Sequence, residues 1–427
     1  MKRSILLLKL LQTQILQVLT QDGRFLFVTR IGRMFAYGFL SIVLVLYLAQ
    51  VGLSEMQIGL LLTLTLIGDT VISLWITTTA DRFGRRRMLI VGAALMVLAG
   101  VFFAFTRNFI LLLTTATIGV ISPSGYEVGP FLSIEQASLS QIIPNERRTQ
   151  IFAWYNLVGS FATALGSLIG GALVQALQNS GVTPLGSYRT IVIGYAAMGL
   201  MIGLLFTQLS SAVEVSPAVN DPGFPSKAKS HYGLHRSRGV VFKLSALFSL
   251  DAFAGGFVLQ SIVAYWFHVR FNVNPAVLGS IFFGANILAG LSALTAAWVA
   301  SRIGLIRTMV FTHIPSNILL IMVPLMPNLA LAITVLLMRF SISQMDVPTR
   351  QSYTMAVVAP DERSAAAGIT GIARTTGASL SPVVTGPLLA NPMFINMPFF
   401  LSGGIKIVYD LLLYRSFKGI RPPEERK

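Results

Sequence analysis

Long apolar stretches, separated by short polar connections, occupy most of this chain. A helix needs about 20 mostly apolar residues to cross the hydrocarbon core of a bilayer. The pattern therefore predicts twelve membrane-spanning helices, at 27–50, 57–79, 88–106, 109–139, 150–178, 190–209, 241–268, 276–299, 308–326, 329–358, 363–389 and 395–414. The fourth, fifth, tenth and eleventh are rich in Gly, Pro, Ser and polar residues. We expect these four to pack against other helices or to line a cavity.

Three polar segments frame these spans. Residues 1–26 are predicted to form an amphipathic cytoplasmic segment, which lies on the membrane surface or frays. Residues 210–240 are basic and rich in Pro, Gly and Ser, which predicts a flexible cytoplasmic linker. The linker separates two six-helix bundles, at 27–209 and 241–414, and residues 415–427 form a cytoplasmic tail.

Composition and charge agree with a multi-pass membrane protein. The chain is 54% hydrophobic and only 11% charged, whereas soluble domains carry about 25% charged residues. With both termini placed in the cytoplasm, 23 of the 32 Lys and Arg fall on the cytoplasmic side, and only Arg107, Arg189 and Arg270 fall outside. This bias follows the positive-inside rule. We expect the protein in the cell inner (plasma) membrane, with both ends cytoplasmic.

The residue content also narrows the classes of partner. The net charge of +16 is spread over short basic clusters between apolar runs, which argues against nucleic-acid binding. The chain has no cysteine, and its four histidines are not spaced as metal ligands. We therefore predict no metal, no cofactor and no catalytic residues. The expected partners are the lipid bilayer, a small-molecule substrate and protons, and the expected state is a monomer.

The two halves of the chain repeat each other. The sequence ADRFGRRRM at 80–88 recurs as ASRIGLIRT at 300–308, at a spacing of 220 residues. The sequence PNER at 144–147 recurs as PDER at 360–363. Parallel repeats of six spans are a transporter architecture, so the sequence predicts an internally duplicated transporter.

At the first repeat the chain resembles the major facilitator superfamily. The superfamily motif G-x-x-x-D-R-x-G-R-R-[KR] fits Asp81 to Arg87, with Thr77 in place of the leading glycine. The resemblance implies an all-α membrane protein whose twelve transmembrane helices form two pseudo-symmetric six-helix bundles. It also implies alternating access, with the first, fourth, seventh and tenth helices lining a central cavity.

The charged loop after the second span suggests a latch on the cytoplasmic side. Gly84 permits a tight turn, and Asp81 can accept hydrogen bonds from the first amides of a neighbouring helix. We predict that charge-assisted hydrogen bonds among the following residues hold one conformation closed: Asp81, Arg82, Gly84, Arg85, Glu135, Arg147, Arg302, Arg350 and Glu362. The alternative is that these arginines only set the topology.

Ionisable side chains inside the spans are candidates for function, because burying a charge in hydrocarbon is costly. The candidates for substrate binding or proton coupling are Glu127, Asp251, Arg339, Asp346, Tyr37, Gln260 and Gln344. The alternative is that Glu127 and Asp251 form static pairs, for instance with Arg339 or Arg33. Lys406 and Asp410 are four residues apart and are predicted to pair with each other. Asp69 is predicted only to bond a neighbouring helix.

The sequence favours a secondary transporter over other functions. The nucleotide-binding pattern G-x-x-x-x-G-K-[ST] is absent, so an ion gradient or the gradient of the substrate drives transport. Gly166, Gly170 and Gly171 partly match a glycine-rich pattern of superfamily exporters, which favours proton-coupled efflux of a small organic solute. The alternative is an importer or facilitator in which Arg339 contacts an anionic metabolite. A membrane-embedded enzyme ranks last, since no catalytic triad or metal cluster appears.

Overall fold

The computed structural model describes residues 20–127, 129–144, 148–214, 234–359 and 362–419. These residues form sixteen α-helices: α1 Gln21–Ser41, α2 Leu44–Val51, α3 Glu55–Phe83, α4 Arg85–Phe105, α5 Phe109–Ile118, α6 Phe131–Ile142, α7 Arg148–Asn179, α8 Pro184–Phe206, α9 Arg238–Gly256, α10 Gln260–Phe271, α11 Pro275–Ile303, α12 Leu305–Met322, α13 Leu329–Phe340, α14 Asp346–Val357, α15 Arg363–Ala390 and α16 Met397–Phe417. The predicted N-terminal segment up to residue 19, most of the linker (215–233), Arg147 and the tail from 420 lie outside the described residues.

Each predicted span corresponds to one of these helices or to a consecutive pair. Within the described ranges, eight helical segments are long and apolar enough to cross a membrane, and the bent pair of α1 and α2 makes nine. The three remaining predicted spans are α5 with α6, α13 with α14, and α15. These are three of the four spans in which polar residues, Gly and Pro were expected to lower hydropathy. The all-α fold predicted from the sequence is confirmed.

Four predicted spans are interrupted rather than continuous. The first, fourth, seventh and tenth spans break at residues 42–43, 119–130, 257–259 and 341–345. The first two helices meet at an angle of 48°. In the fourth span, Gly125 and Gly129 adopt positive φ values of 71° and 82°, which only glycine adopts readily. The first helix also begins at Gln21 rather than at residue 27.

The duplication is visible in the backbone. Gly84 is the single residue between α3 and α4, with φ 102°, and Gly304 is the single residue between α11 and α12, with φ 89°. These positions are 220 residues apart, as the sequence repeat predicts. Asn108 and Asn328, also 220 apart, each accept hydrogen bonds from the first amides of α5 and α13. Both halves thus use the same turn and the same helix cap.

In two helix pairs between the halves, a glycine lets the backbones of the two helices touch directly. At Gly59 of α3, the place that a Cβ would take lies 2.4 Å from the carbonyl oxygen of Pro382 in α15. At Gly171 of α7, that place lies 2.2 Å from the carbonyl oxygen of Pro275 in α11. Glycine is therefore required at both positions, because any side chain would push the backbones apart.

The two faces of the bundle differ in charge. We call the face at which α3 ends and α4 begins the basic face, since Arg82, Arg85 and Arg86 lie there. We call the other face, at which α3 begins near Glu55, the opposite face. The contacts at Gly59 and Gly171 lie in the part of the membrane nearer the opposite face, where α3 and α11 begin and α15 and α7 end.

Candidate functional site

A buried ion-pair network holds the core of the first half together. The Glu135 side chain is fully buried. It accepts two parallel hydrogen bonds from Arg33, Nη1 to Oε1 at 2.8 Å and Nη2 to Oε2 at 2.7 Å. Thr29 donates to the same carboxylate at 3.3 Å, and the Tyr155 hydroxyl also donates to it. Each of the two carboxylate oxygens of Glu135 thus accepts two hydrogen bonds, which suits a structural anchor.

Glu127 lies at the edge of this network, in the break of the fourth span. It accepts from Arg33 Nε at 2.9 Å and from Arg30 Nη1. Arg30 also donates to the Tyr155 carbonyl at 3.0 Å and to Asn156 at 3.4 Å. The Glu127 side chain keeps 14% of its surface exposed. The pairing with Arg33 that the sequence left open as an alternative is therefore present, together with an additional pairing to Arg30.

The second half contains a network in which one carboxylate, Asp251, is surrounded by several cations. Asp251 Oδ1 accepts from Lys406 Nζ at 2.6 Å, and Oδ2 accepts from Arg374 at 3.1 Å and from Arg350 at 3.3 Å. Arg350 also donates to Asp346 at 2.8 Å. Asp251 is almost fully buried among three cations. A carboxylate in that setting stays ionised, because a proton would leave the cations uncompensated.

The predicted pair of Lys406 and Asp410 is wrong. Lys406 binds Asp251, while Asp410 contacts the His313 ring at 2.9 Å and accepts from Asn317 at 3.2 Å. A pair spaced four residues along one helix contributes only about 0.2–0.5 kcal/mol. The need to compensate the buried Asp251 charge outweighs it.

Asp69 differs from the other intramembrane carboxylates. Its Oδ1 accepts from the backbone N–H of Gly129 at 2.6 Å and from the Ser73 hydroxyl at 3.3 Å. No ion pair to Asp69 occurs among the residues that the structure describes. The predicted bond to a neighbouring helix is present, and it fixes the break of the fourth span. The sequence did not reveal that Asp69 has no cationic partner among the described residues.

Arg339, in contrast to Asp69, is a cation that forms no ion pair with a carboxylate among the described residues. It lies at the end of α13, where the tenth span breaks. Its Nε is buried and has no hydrogen-bond partner. The guanidinium lies 4.8 Å from the centre of the Phe340 ring, and Tyr126 and Asp346 lie within electrostatic reach. Asp346 pairs with Arg350, four residues further along the same helix.

Gln260 joins the two halves instead of facing an open cavity. Its Nε2 donates to Ser41 at 2.8 Å and to Ser167 at 3.3 Å, and its Oε1 accepts from Asn286 at 3.1 Å. Nearer the opposite face, the Tyr265 hydroxyl donates to Glu55 at 3.0 Å. These bonds link the two halves on the side of the opposite face.

The two other predicted lining residues lie in different settings. Tyr37 is fully buried in the first half, stacked against Tyr195 with ring centres 6.5 Å apart. Its ring is buried within the first half, and its role in lining the cavity stays a prediction. Gln344 lies in the break of the tenth span, partly exposed, and its N–H donates to Ser292 at 3.2 Å.

The charged loop on the basic face bonds within its own half. Arg85 binds Asp81 at 2.8 Å and Gln141 at 2.9 Å. Glu214, which the sequence did not single out, accepts from the backbone N–H groups of Arg85 at 2.6 Å and Arg86 at 3.2 Å. The expected role of Asp81 at a helix N-terminus therefore belongs to Glu214, since its carboxylate reaches the first amides of α4.

Other predicted latch residues are distributed elsewhere. Glu135 and Arg350 belong to the two buried networks, and the predicted contact of Glu135 with the loop arginines is wrong. Arg302 is exposed and stacks on Trp298, 4.1 Å from the ring centre. Arg82 is exposed beside the Phe83 ring. These positions explain why the charged motif does not form one latch in this conformation.

Glu362 fastens the end of the linker to the second half. It accepts from the backbone N–H groups of Arg236 at 2.7 Å and Ser237 at 2.8 Å, and from that of His235. The His235 ring also contacts it at 2.6 Å. Burial by itself would raise the pKa of Glu362, but the hydrogen bonds from the Ser237 side chain and from these backbone groups lower the pKa to about 2.

The geometry describes two bundles, each with a buried charge network, linked by the hydrogen bonds of Gln260 and Tyr265. A family model described as Major Facilitator Superfamily matches residues 26–426. The chain belongs to the major facilitator superfamily. As a superfamily member it is a membrane transporter and not an enzyme, and its fold supports secondary transport of a small solute.

Two relatives of this superfamily transporter extend the comparison. The uncharacterized membrane protein YJR124C of Saccharomyces cerevisiae is 32% identical over 426 residues, which cover 94% of this chain and 95% of the relative. The quinolone resistance protein NorA of Staphylococcus aureus is 26% identical over 133 residues, which cover 31% of this chain and 33% of NorA.

Solved transporters share the fold of this superfamily member. A bacterial homologue of the human lysosomal transporter Spinster, in an inward-facing and occupied conformation, matches with a TM-score of 0.72 at 15% identity, covering 93% of this chain and 97% of that one. A D-xylose–proton symporter matches with a TM-score of 0.71 at 15% identity, covering 94% and 98%. The nucleoside transporter NupG matches with a TM-score of 0.69 at 14% identity, covering 93% and 100%.

Proposed function

We propose that this chain is a proton-coupled secondary transporter that exports a small organic solute by alternating access. The family and the fold support the transport of a small solute between two bundles. The bonds of Gln260 to Ser41 and Ser167 support a conformation closed on the opposite side. In this proposal the basic face is cytoplasmic, in keeping with the positive-inside rule.

The proposal of proton coupling is based on Asp69, which has no cationic partner among the described residues. Asp69 is a partly buried carboxylate in the membrane, and without a paired cation its ionised form is costly, which favours uptake of a proton. Protonating Glu135 or Asp251 would leave buried cations uncompensated, whereas protonating Asp69 leaves none. The sequence-based candidate Glu127 differs from Asp69 in that it forms ion pairs with Arg30 and Arg33.

The surroundings of Asp69 connect its charge to the shape of the fourth span. Its ionised form holds the Gly129 N–H at 2.6 Å, and charge-assisted bonds are about twice as strong as neutral ones. The titratable groups within electrostatic reach are Glu127, Tyr37 and Tyr195. A proton on Asp69 weakens the bond to Gly129 and frees the break in which Glu127 lies. Uptake of the proton thus favours one conformation of the broken helix.

Export is the direction favoured by two observations. The partial match to the quinolone resistance protein NorA supports efflux, as does the partial glycine pattern of the fifth span. In the structure those glycines also have packing roles, since a Cβ at Gly166 would lie 2.1 Å from the Phe35 carbonyl oxygen. The support for direction therefore rests mainly on the relative.

The test uses the absence of cysteine from the chain. Spin labels at Phe83→Cys and Ile303→Cys, exposed positions at the ends of α3 and α11, report the distance between the halves at the basic face. We expect the distance distribution to change with pH between 5 and 9, and Asp69→Asn to abolish the change. Ser73→Ala removes a hydrogen bond but no charge and should retain it.

Transport is measured in proteoliposomes with an imposed pH gradient, using a fluorescent quinolone as the probe solute. Flux that follows the gradient in the wild type and not in Asp69→Asn is the expected result. Asp69→Glu should keep a pH response with a shifted midpoint. A label distance and a flux that are both independent of pH in the wild type would overturn proton coupling.

A further inference from the structure

Arg339 is a partly buried cation at the break of the tenth span, and its Nε atom is buried. Its Nε lacks any hydrogen-bond partner, and no ion pair to Arg339 occurs within the described ranges. The carboxylate within electrostatic reach, Asp346, is bound to Arg350 at 2.8 Å. The stacking of the guanidinium on Phe340 offsets only part of the cost of removing a charge from water.

The position of Arg339 points it toward the middle of the transporter. On α13 it follows the buried Ala332 and Val335 at helical spacing, whereas Leu331 and Met338 are exposed on another face. It precedes the break at 341–345. Across the boundary between the halves, Tyr126 lies within its electrostatic reach, and this residue belongs to the break of the fourth span. Arg339 therefore lies where two broken spans approach each other.

The charges of the second half are unequal in number. Within the described residues, the spans of this half contain four Lys and Arg side chains, Lys406, Arg350, Arg374 and Arg339, against three carboxylates, Asp251, Asp346 and Asp410. Arg374 is partly open, with 33% of the side chain exposed. The excess of positive charge disfavours a cationic ligand and favours an anionic one.

We propose that Arg339 binds the carboxylate of the transported solute, with the Tyr126 hydroxyl as a second contact from the other half. A guanidinium offers two parallel N–H groups to a carboxylate, and its Nε edge is the one left without a partner. The Phe340 and Tyr126 rings provide an apolar surface for the rest of the molecule. The substrate class is thus a small organic acid with an apolar body, an inference that rests on the proposed transport function.

The test compares ligands that differ only in charge. The probes are 3-phenylpropionate, the neutral 3-phenylpropanol and the cationic 3-phenylpropylamine, and binding to the purified full chain is measured by calorimetry and by thermal shift, without any gradient. We expect the acid to bind more tightly than the alcohol and the amine. Arg339→Gln should weaken the acid by about 10- to 100-fold, the loss expected when hydrogen bonds to a charged group are removed.

Two controls separate binding from folding. Arg302→Gln removes an exposed arginine that stacks on Trp298, and it should leave the affinity for the acid unchanged. Arg339→Gln should melt no lower than the wild type, since it removes an uncompensated charge, and it should lose the thermal shift caused by the acid. An acid that binds no better than the alcohol, or binds Arg339→Gln as tightly as the wild type, would overturn the proposal.

The result is independent of proton coupling. Binding at equilibrium needs no pH gradient, so a pH-independent transporter that still prefers the acid would lose proton coupling and keep the Arg339 site. Conversely, a pH response that depends on Asp69, without any preference for the acid, would keep proton coupling and remove the site.

Discussion

Replacing Glu135 by Gln tests whether the network of the first half is a structural anchor. The Glu135 side chain has no exposed surface and binds Arg33 through two parallel hydrogen bonds at 2.7 and 2.8 Å. Removing one partner of a buried ion pair costs about 3–5 kcal/mol, because the other charge stays buried. The exposed pair of Asp81 and Arg85, in which 65% of the Asp81 side chain is open, is worth about 0–1 kcal/mol.

These free-energy losses predict how far each variant lowers the melting temperature. For a unit of 150–250 residues, 1 kcal/mol shifts Tm by about 2–4 °C, and the described first half, residues 20–214, is of that size. We expect Glu135→Gln to lower Tm by about 6–20 °C and Asp81→Asn by less than about 4 °C. Glu127→Gln should fall between them, since Arg30 and Arg33 keep other partners.

Thermal unfolding of the purified protein in detergent measures the series. The matched control removes both buried charges, because replacing a buried pair by apolar or neutral groups is often close to neutral. Arg33→Met in the Glu135→Gln background should therefore recover stability relative to Glu135→Gln alone. Equal Tm losses for Glu135→Gln and Asp81→Asn, or a double variant whose losses simply add, would refute the anchor.

Two further predictions concern the turns and the linker. Gly84→Ala and Gly304→Ala should each cost about 1–3 kcal/mol of stability, because φ values of 102° and 89° strain any side chain, whereas Gly239→Ala has open space and should be neutral in the same melts. The lowered pKa of Glu362, about 2, stabilises the docked segment above its ordinary pKa of 4.5, and this stabilisation is lost as pH falls toward 2. Hydrogen exchange of residues 234–240 should therefore stay slow at neutral pH and rise below pH 4.5, while Glu362→Gln should raise exchange already at pH 7; fast exchange in the wild type at pH 7 would contradict this.

Features that depend on local chemistry were predictable from the sequence. The apolar runs located the spans, and the repeat at a spacing of 220 residues led to the matching turns at Gly84 and Gly304. Glycine and proline between 119 and 130 marked the fourth span as unusual, although the sequence predicted one continuous segment. A break of this kind preserves the apolar composition on both sides, so hydropathy does not detect it.

The partners of the buried charges were not predictable. Arg33 and Glu135 are 102 residues apart in the chain, and Asp251 and Lys406 are 155 apart. Such pairs depend on how closely helices approach in space, which a single sequence does not contain. The local spacing of Lys406 and Asp410 was therefore misleading. For the same reason the sequence could identify Asp69 and Arg339 as intramembrane charges without showing that neither has an ionic partner among the described residues.

The glycine contacts at Gly59 and Gly171 have a consequence for how the molecule moves. At these two points backbone meets backbone, so few side chains have to separate there when the bundles tilt relative to each other. The hydrogen bonds of the Gln260 amide to Ser41 and Ser167 must break for the side of the opposite face to open, so a change of this one side chain is expected to shift the equilibrium between the two access states.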